Sequence, residues 1–237
     1  MLILALDTSG KSISAAVTRD GEIIGDSTFS IGLKHSSTAM PLIHDLCRRC
    51  GILYPDIDAY ACAVGPGSYT GIRIGISLIK GMAYAGNRPA VGISSLAALA
   101  AAVKPFEDNR VIIPLIDAGK GRLFCSVLYQ GRTLITEGNR QQADLAEQMS
   151  SILQTIQSDS RKILLTGDGA KGYSDLRLWP GASWITDAGP AFRWPRAAII
   201  AALAEAELQT GDEFSPFLLE ASYISLSQAE RLRQHHA

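Results

Sequence analysis

The run LILALD (2–7) is apolar up to its last residue, where an acid stops it. A run without polar alternation predicts a strand buried on both faces. SISAAVT (12–18) follows, and GEIIGDSTFS (21–30) comes after the turn residues Arg19, Asp20 and Gly21, so the chain opens with three strands. The period then changes. Ala39, Leu42, Ile43, Leu46, Cys47 and Cys50 recur at helical spacing, with His44, Asp45, Arg48 and Arg49 on the opposite face. This predicts an amphipathic helix capped by Ser36 or Ser37 and ending at Gly51, with Pro41 in its first turn or bending it.

AYACAV (59–64) predicts a buried strand, GPGSYTG a turn, and 70–85 a second helix. PAVGI (89–93) is a short strand leading through Ser94 and Ser95 into an alanine-rich helix over about 95–103. The polar stretch Lys104 to Arg110, with Pro105, reads as a linker. The pattern then restarts with strands at 111–117, 123–129 and 133–136. A helix near 142–156, a strand at 162–166 and a helix at 195–209 follow. Two halves that each open with strands and continue with helices predict a two-lobed α/β protein, with lobes 1–105 and 106–237 and the last helix able to pack back on the first lobe.

The helix at 70–85 carries Ile72, Ile74, Ile76, Leu78, Ile79, Met82 and Ala83 around nearly its whole circumference. Such a helix is buried on all sides or meets a partner on its second face. Gly71 and Gly75 lie four apart, on one side, and admit a very close neighbour. At its start, GPGSYTGIRIG (65–75) places Gly65 and Gly67 where a strand ends, with Thr70 as the expected cap. N–H groups at a helix start suit an anion. A ligand-free tight turn fits the spacing equally well.

Asp7, Thr8 and Ser9 place a carboxylate and hydroxyls at the end of the first strand, facing a phosphate, a magnesium-bound water or only their own turn. The following Gly10-Lys11-Ser12 is not a P-loop, because Ala5 stands where that loop needs glycine and a strand follows the lysine. Ser68 fails the nucleophile-elbow pattern, with Pro66 and Thr70 at minus and plus two. Cys47 and Cys50 match C-x-x-C but fall on the apolar face near a helix end, which predicts core thiols. His35 and His44 lack ligand spacing, His235 and His236 stand in the tail, and no metal site is predicted. Asp117 ends a strand as Asp7 does and reads as a turn acid.

Composition narrows the function. The 237 residues are 47% hydrophobic and 19% charged, which is globular. The net charge of -1 argues against a chain that grips nucleic acid unaided, because phosphate neutralisation supplies most of that affinity. No apolar run reaches the roughly 18 residues of a membrane helix, and the start lacks a basic n-region. Four cysteines without a leader then favour reduced thiols and a cytoplasmic location.

GPGSYTGIRIG closely resembles the signature of the TsaB (YeaZ) family, bacterial partners in tRNA threonylcarbamoyladenosine (t6A) synthesis. The likeness extends to LILALDTS, His35-Ser36, VGISSLAALA (91–100) and Ile116-Asp117-Ala118, covering about the first 130 residues; Tyr223-Ile224 matches a C-terminal motif. Gly119 and Ser225 depart from the pattern, which commonly has arginine at both places.

The resemblance implies a two-lobed actin/hexokinase/Hsp70-like (ASKHA) fold. It implies a non-catalytic partner that binds and activates a TsaD-type transferase acting on adenosine 37 of tRNA. A TsaE-like ATPase would be the third member, with tRNA met only through the complex and a homodimer in isolation. The catalytic relative holds a metal with a histidine pair on a helix, whereas ISSLAALAAA (93–102) here has none. The implied partner surface lies on the first two helices, at Met40, Ile43, Cys47, Gly71, Ile74, Gly75, Leu78 and Met82. Asp7, Thr8, Gly65, Gly67 and Ser68 are the candidate nucleotide set, which could hold ATP or ADP at a partner interface. Two rival readings stand beside this one: a nucleotide-binding ATPase or kinase of the same fold, and a peptidase acting on the transferase. No Ser/His/Asp constellation favours the peptidase.

Overall fold

A computed structural model describes residues 1–30, 32, 34–106, 109–156, 162–172 and 184–224. Two compact units divide the chain. One comprises Met1–Ala102 with Trp194–Ala221; the other comprises Val103–Arg193 with Ser222–Ala237.

In the first unit, β1 (Leu2–Asp7), β2 (Ser12–Arg19) and β3 (Glu22–Ser30) form an antiparallel meander. Two further strands run parallel to β1, β4 (Ala59–Gly65) beside it and β5 (Ala90–Ser94) beyond, giving the order β3-β2-β1-β4-β5. Every residue of β1 is buried, as the unbroken apolar run requires. Leu2, Leu4 and Leu6 face helices α1 (His35–Cys50) and α2 (Tyr69–Gly86), whose Ile43, Leu46, Ile72, Ile76 and Ile79 complete that core. Ile3 and Ala5 face the other way, against Ala197, Ile200 and Ala201 of α5 (Ala197–Leu208). Small side chains on this second side let α5 approach β1 and β2 closely. Its first N–H is taken by Ser14 Oγ of β2 at 3.0 Å.

The second unit repeats the strand pattern. β6 (Val111–Gly119), β7 (Arg122–Tyr129) and β8 (Arg132–Gln141) are antiparallel, while β9 (Lys162–Thr166) and β10 (Trp184–Asp187) run parallel to β6, in the order β10-β9-β6-β7-β8. Helix α4 (Gln142–Thr155) covers this sheet through Leu145, Met149 and Leu153. β8 extends well beyond the expected 133–136, because an edge strand with an exposed face tolerates Glu137, Asn139 and Arg140.

Both helix caps expected near the sequence signature differ. α1 starts at His35 with no side-chain cap; Ser37 and Thr38 instead donate back to the Lys34 carbonyl. α2 is capped by Ser68, whose Oγ accepts the Gly71 N–H at 3.2 Å, and Thr70 lies one position inside the helix. Pro41 sits inside α1, beyond its first turn. The expected stop at Gly51 holds: Gly51 takes φ +67° and its N–H reaches the Arg48 carbonyl. α3 (Ser95–Val103) begins on the Ser94 hydroxyl, which accepts from the N–H groups of Leu96 and Ala97. Among the described residues, no helix is long and apolar enough to cross a membrane.

Candidate functional site: a groove on two helices and a closed turn beneath it

The end of β1, the glycine turn and the start of α2 are one hydrogen-bonded assembly. Ser68 N–H donates to the Ser9 carbonyl at 2.7 Å. Thr8 Oγ1 donates to the Gly71 carbonyl at 2.7 Å. Gly67, Gly71 and Gly75 are each needed by a close approach, and Gly65 by its φ of +111°. A Cβ at Gly67 would lie 2.3 Å from the Ser9 oxygen, at Gly71 2.0 Å from the Thr8 oxygen, and at Gly75 2.4 Å from Thr8 Oγ1. The very close neighbour that Gly71 and Gly75 admit is therefore Thr8, just past the end of β1 in the same unit.

Asp7 is wholly buried. Its Oδ1 accepts from the Ser9 N–H and hydroxyl, at 3.0 and 2.7 Å, while Oδ2 has no hydrogen-bond partner among the described residues. Burial pushes its pKa up to about 6, against the opposing pull of the two Ser9 hydrogen bonds. Over the adjacent Gly10 lies Trp194, 2.4 Å from where a Cβ would stand. His35, also buried, places Nε2 2.8 Å from the Gly10 carbonyl, which ties the start of α1 to this turn.

The nucleotide set therefore meets the chain's own atoms. Gly67 packs on Ser9, Thr8 bonds Gly71, and Ser68 caps α2, while Asp7 is sealed from solvent. Asp117 serves a turn in the other unit, its Oδ1 accepting the Gly119 N–H at 2.8 Å. Gly119 itself takes φ +73°. Ser225, His235 and His236 lie outside the described residues.

The expected partner residues divide by side. Ile43 and Cys47 are buried in the core beneath α1, and Gly71 and Gly75 are buried against Thr8. These four cannot present a surface, which corrects the expected set. Met40, Ile74 and Leu78 instead line an open groove of about 680 Å³ between α1 and α2, and Met82 is half-buried farther along α2. The groove is also lined by Ser36, Ala39, Tyr69, Thr70, Arg73 and Ser77, none of them in the expected set. The Arg73 guanidinium lies 4.0 Å from the centre of the Tyr69 ring, a cation–π contact whose signal was the i, i+4 spacing.

Of the two expected core thiols Cys47 is buried, which pushes its pKa up to about 11, whereas Cys50 at the helix end is only half-buried. Among the described residues, no group of three His, Cys, Asp or Glu side chains could hold a metal.

Comparison with known proteins agrees with this architecture. Residues 30–165 match the family model described as TsaD, tRNA N6-adenosine threonylcarbamoyltransferase. The tRNA threonylcarbamoyladenosine biosynthesis protein TsaB of Bacillus subtilis is 33% identical over 70% of this chain and 71% of its own. YeaZ from Pseudomonas aeruginosa superposes with a TM-score of 0.77 at 25% identity, covering 94% of this chain and 99% of that one. ROK hexokinase from Thermus thermophilus shares the fold at a TM-score of 0.50 and 13% identity, over 90% of this chain and all of its own. These neighbours bear out the ASKHA-type fold.

Proposed function

The chain belongs to the family that the TsaD model describes, and within it to the TsaB (YeaZ) branch of tRNA threonylcarbamoyladenosine biosynthesis proteins; from that membership we propose that it is the non-catalytic partner that binds and activates a TsaD-type transferase for t6A formation at adenosine 37. The observation that carries this reading is the sidedness of α2. Ile72, Ile76, Ile79 and Ala83 fill the core, and Gly71 and Gly75 meet Thr8. Ile74 and Leu78, both half-buried, line a groove with Met40, which is 40% exposed, and Leu78 also packs against the edge of that core. An apolar lining open to water gains from a partner that covers it.

Chemistry is left to the partner. α3 carries no histidine, and Asp7 is wholly buried, its Oδ1 accepting from the Ser9 hydroxyl. The near-neutral charge suits a subunit that meets tRNA only through the assembly. In isolation the same groove is available to a second copy, and in the assembly a TsaE-like ATPase joins as third member.

The test is reconstitution of t6A formation from purified TsaD-like and TsaE-like partners, tRNA and threonylcarbamoyl-adenylate, with and without this chain. Stimulation that depends on the chain supports the reading. An unchanged rate, with no association between this chain and the transferase, sinks it.

A further inference from the structure

A second exposed apolar feature lies elsewhere on the first unit and shares no lining residue with the groove of α1 and α2. Tyr84 is 67% exposed, Phe217 70% and Leu218 63%. The Tyr84 and Phe217 rings meet edge to face with centroids 5.5 Å apart. Leu218, next in the chain, lines a depression of about 230 Å³ whose other apolar walls include Val64, Ala90 and Leu219.

This display is held in place. The Phe214 carbonyl accepts the Ala90 N–H of β5 at 2.9 Å, Ser215 Oγ accepts the Phe217 N–H at 3.3 Å, and Leu219 is buried in the core. Lys80 of α2 donates to the Phe217 carbonyl at 3.4 Å. Three large apolar side chains fixed together in water, beside a depression, are not the scattered exposure of an ordinary surface.

Charge selects the occupant. Glu213 and Glu220 line the depression. Asp212 adjoins Glu213 in the chain, and the Lys80 ammonium at this feature is engaged by the Phe217 carbonyl. This acidity disfavours a phosphate-bearing ligand. It also disfavours symmetric pairing with a second copy, which would bring like charges together. The depression's volume suits one anchoring side chain.

We propose that Tyr84, Phe217, Leu218 and the adjoining depression dock a segment of a different protein, one that inserts a single branched aliphatic or aromatic side chain flanked by lysine or arginine. The proposal rests on the reading that this chain works within a multi-protein assembly, and it adds to that assembly a second contact independent of α1 and α2.

The test is photo-crosslinking in the reconstituted assembly, with Phe217→p-benzoylphenylalanine at the new surface and Leu78→p-benzoylphenylalanine in the groove. The expected result is a crosslink from position 217 to a lysine- or arginine-bearing segment of a partner chain. The double variant Glu213→Lys, Glu220→Lys should reduce its yield about tenfold, as removal of a strong interface contact does. A crosslink from position 78 with none from 217 overturns this inference and leaves the functional reading standing. Crosslinks from 217 confined to this chain or to a second copy of it overturn it as well, as does a yield unaffected by charge reversal. Silence at both positions, with no stimulation of t6A formation, overturns both readings.

Discussion

The Thr8 hydroxyl donates to the Gly71 carbonyl at 2.7 Å, which locks the end of the first strand onto the first turn of α2. The contact exists because Gly71 and Gly75 have no side chains. Gly71→Ala would put a methyl group 2.0 Å from the Thr8 carbonyl oxygen, a backbone atom that cannot step aside. Overpacking of this kind costs about 1–3 kcal/mol or more. Gly81 is in the same helix and exposed, and a Cβ added there would meet nothing within 4 Å. Gly81→Ala should therefore stabilise by about 0.5–1 kcal/mol through helix propensity. Urea unfolding of the two variants should give shifts of opposite sign; a neutral Gly71→Ala would refute the packing described.

The Ser68 cap makes a smaller claim. Its Oγ accepts the Gly71 N–H, while Thr70 is already helical. Ser68→Ala should cost about 1 kcal/mol, as loss of an N-cap does. Thr70→Ala should cost less than half as much in the same melt. The reverse ranking would restore Thr70 as the cap.

Asp7 gives a pH signature whose sign is fixed by burial. Its folded pKa of about 6 stands above the ordinary 3.8, so the folded state favours the protonated form. That contribution is fully present below about pH 4, declines as the pH rises through about 6, and amounts to about 3 kcal/mol at most. Asp7→Asn keeps an acceptor for Ser9 and carries no charge. It should melt above the wild type at pH 7.5 and converge with it near pH 4. A variant that is less stable at both pH values would show that the ionised carboxylate is stabilising, and the sign would be reversed.

Much of this architecture was legible in the chain itself. The unbroken run from Leu2 to Leu6 announced a strand covered on both faces, and Gly51 announced the end of α1. The GPGSYTGIRIG resemblance led directly to the fold and family. The sidedness of α2 was not legible, because Ile72 and Ile76 differ from Ile74 and Leu78 only in what stands opposite them. That is a tertiary fact, set by Thr8 more than sixty residues away. The cover over Gly10 was hidden for the same reason, since Trp194 comes from the far end of the unit's sequence. Periodicity also missed β10 (Trp184–Asp187), a strand too short to establish a pattern.

The division of α2 into two sides yields the sharpest prediction. Leu78→Glu and Ile74→Glu place a carboxylate in the groove, where the isolated chain can still hydrate it. Both positions are half-buried, so each variant should fold but lose about 1–3 kcal/mol, and binding is compared at a temperature where each is folded. Covering the same carboxylate in an interface leaves a buried, unpaired charge, which costs several kcal/mol. Self-association and transferase binding should therefore weaken by about a hundredfold or more, read by sedimentation and by titration calorimetry. Ile43→Ala, one turn from Met40 but facing inward, should behave oppositely. It should lose about 2–5 kcal/mol of stability to a core cavity and bind normally wherever it remains folded. Normal association of both glutamate variants, with the fold intact, would remove the groove as the docking surface.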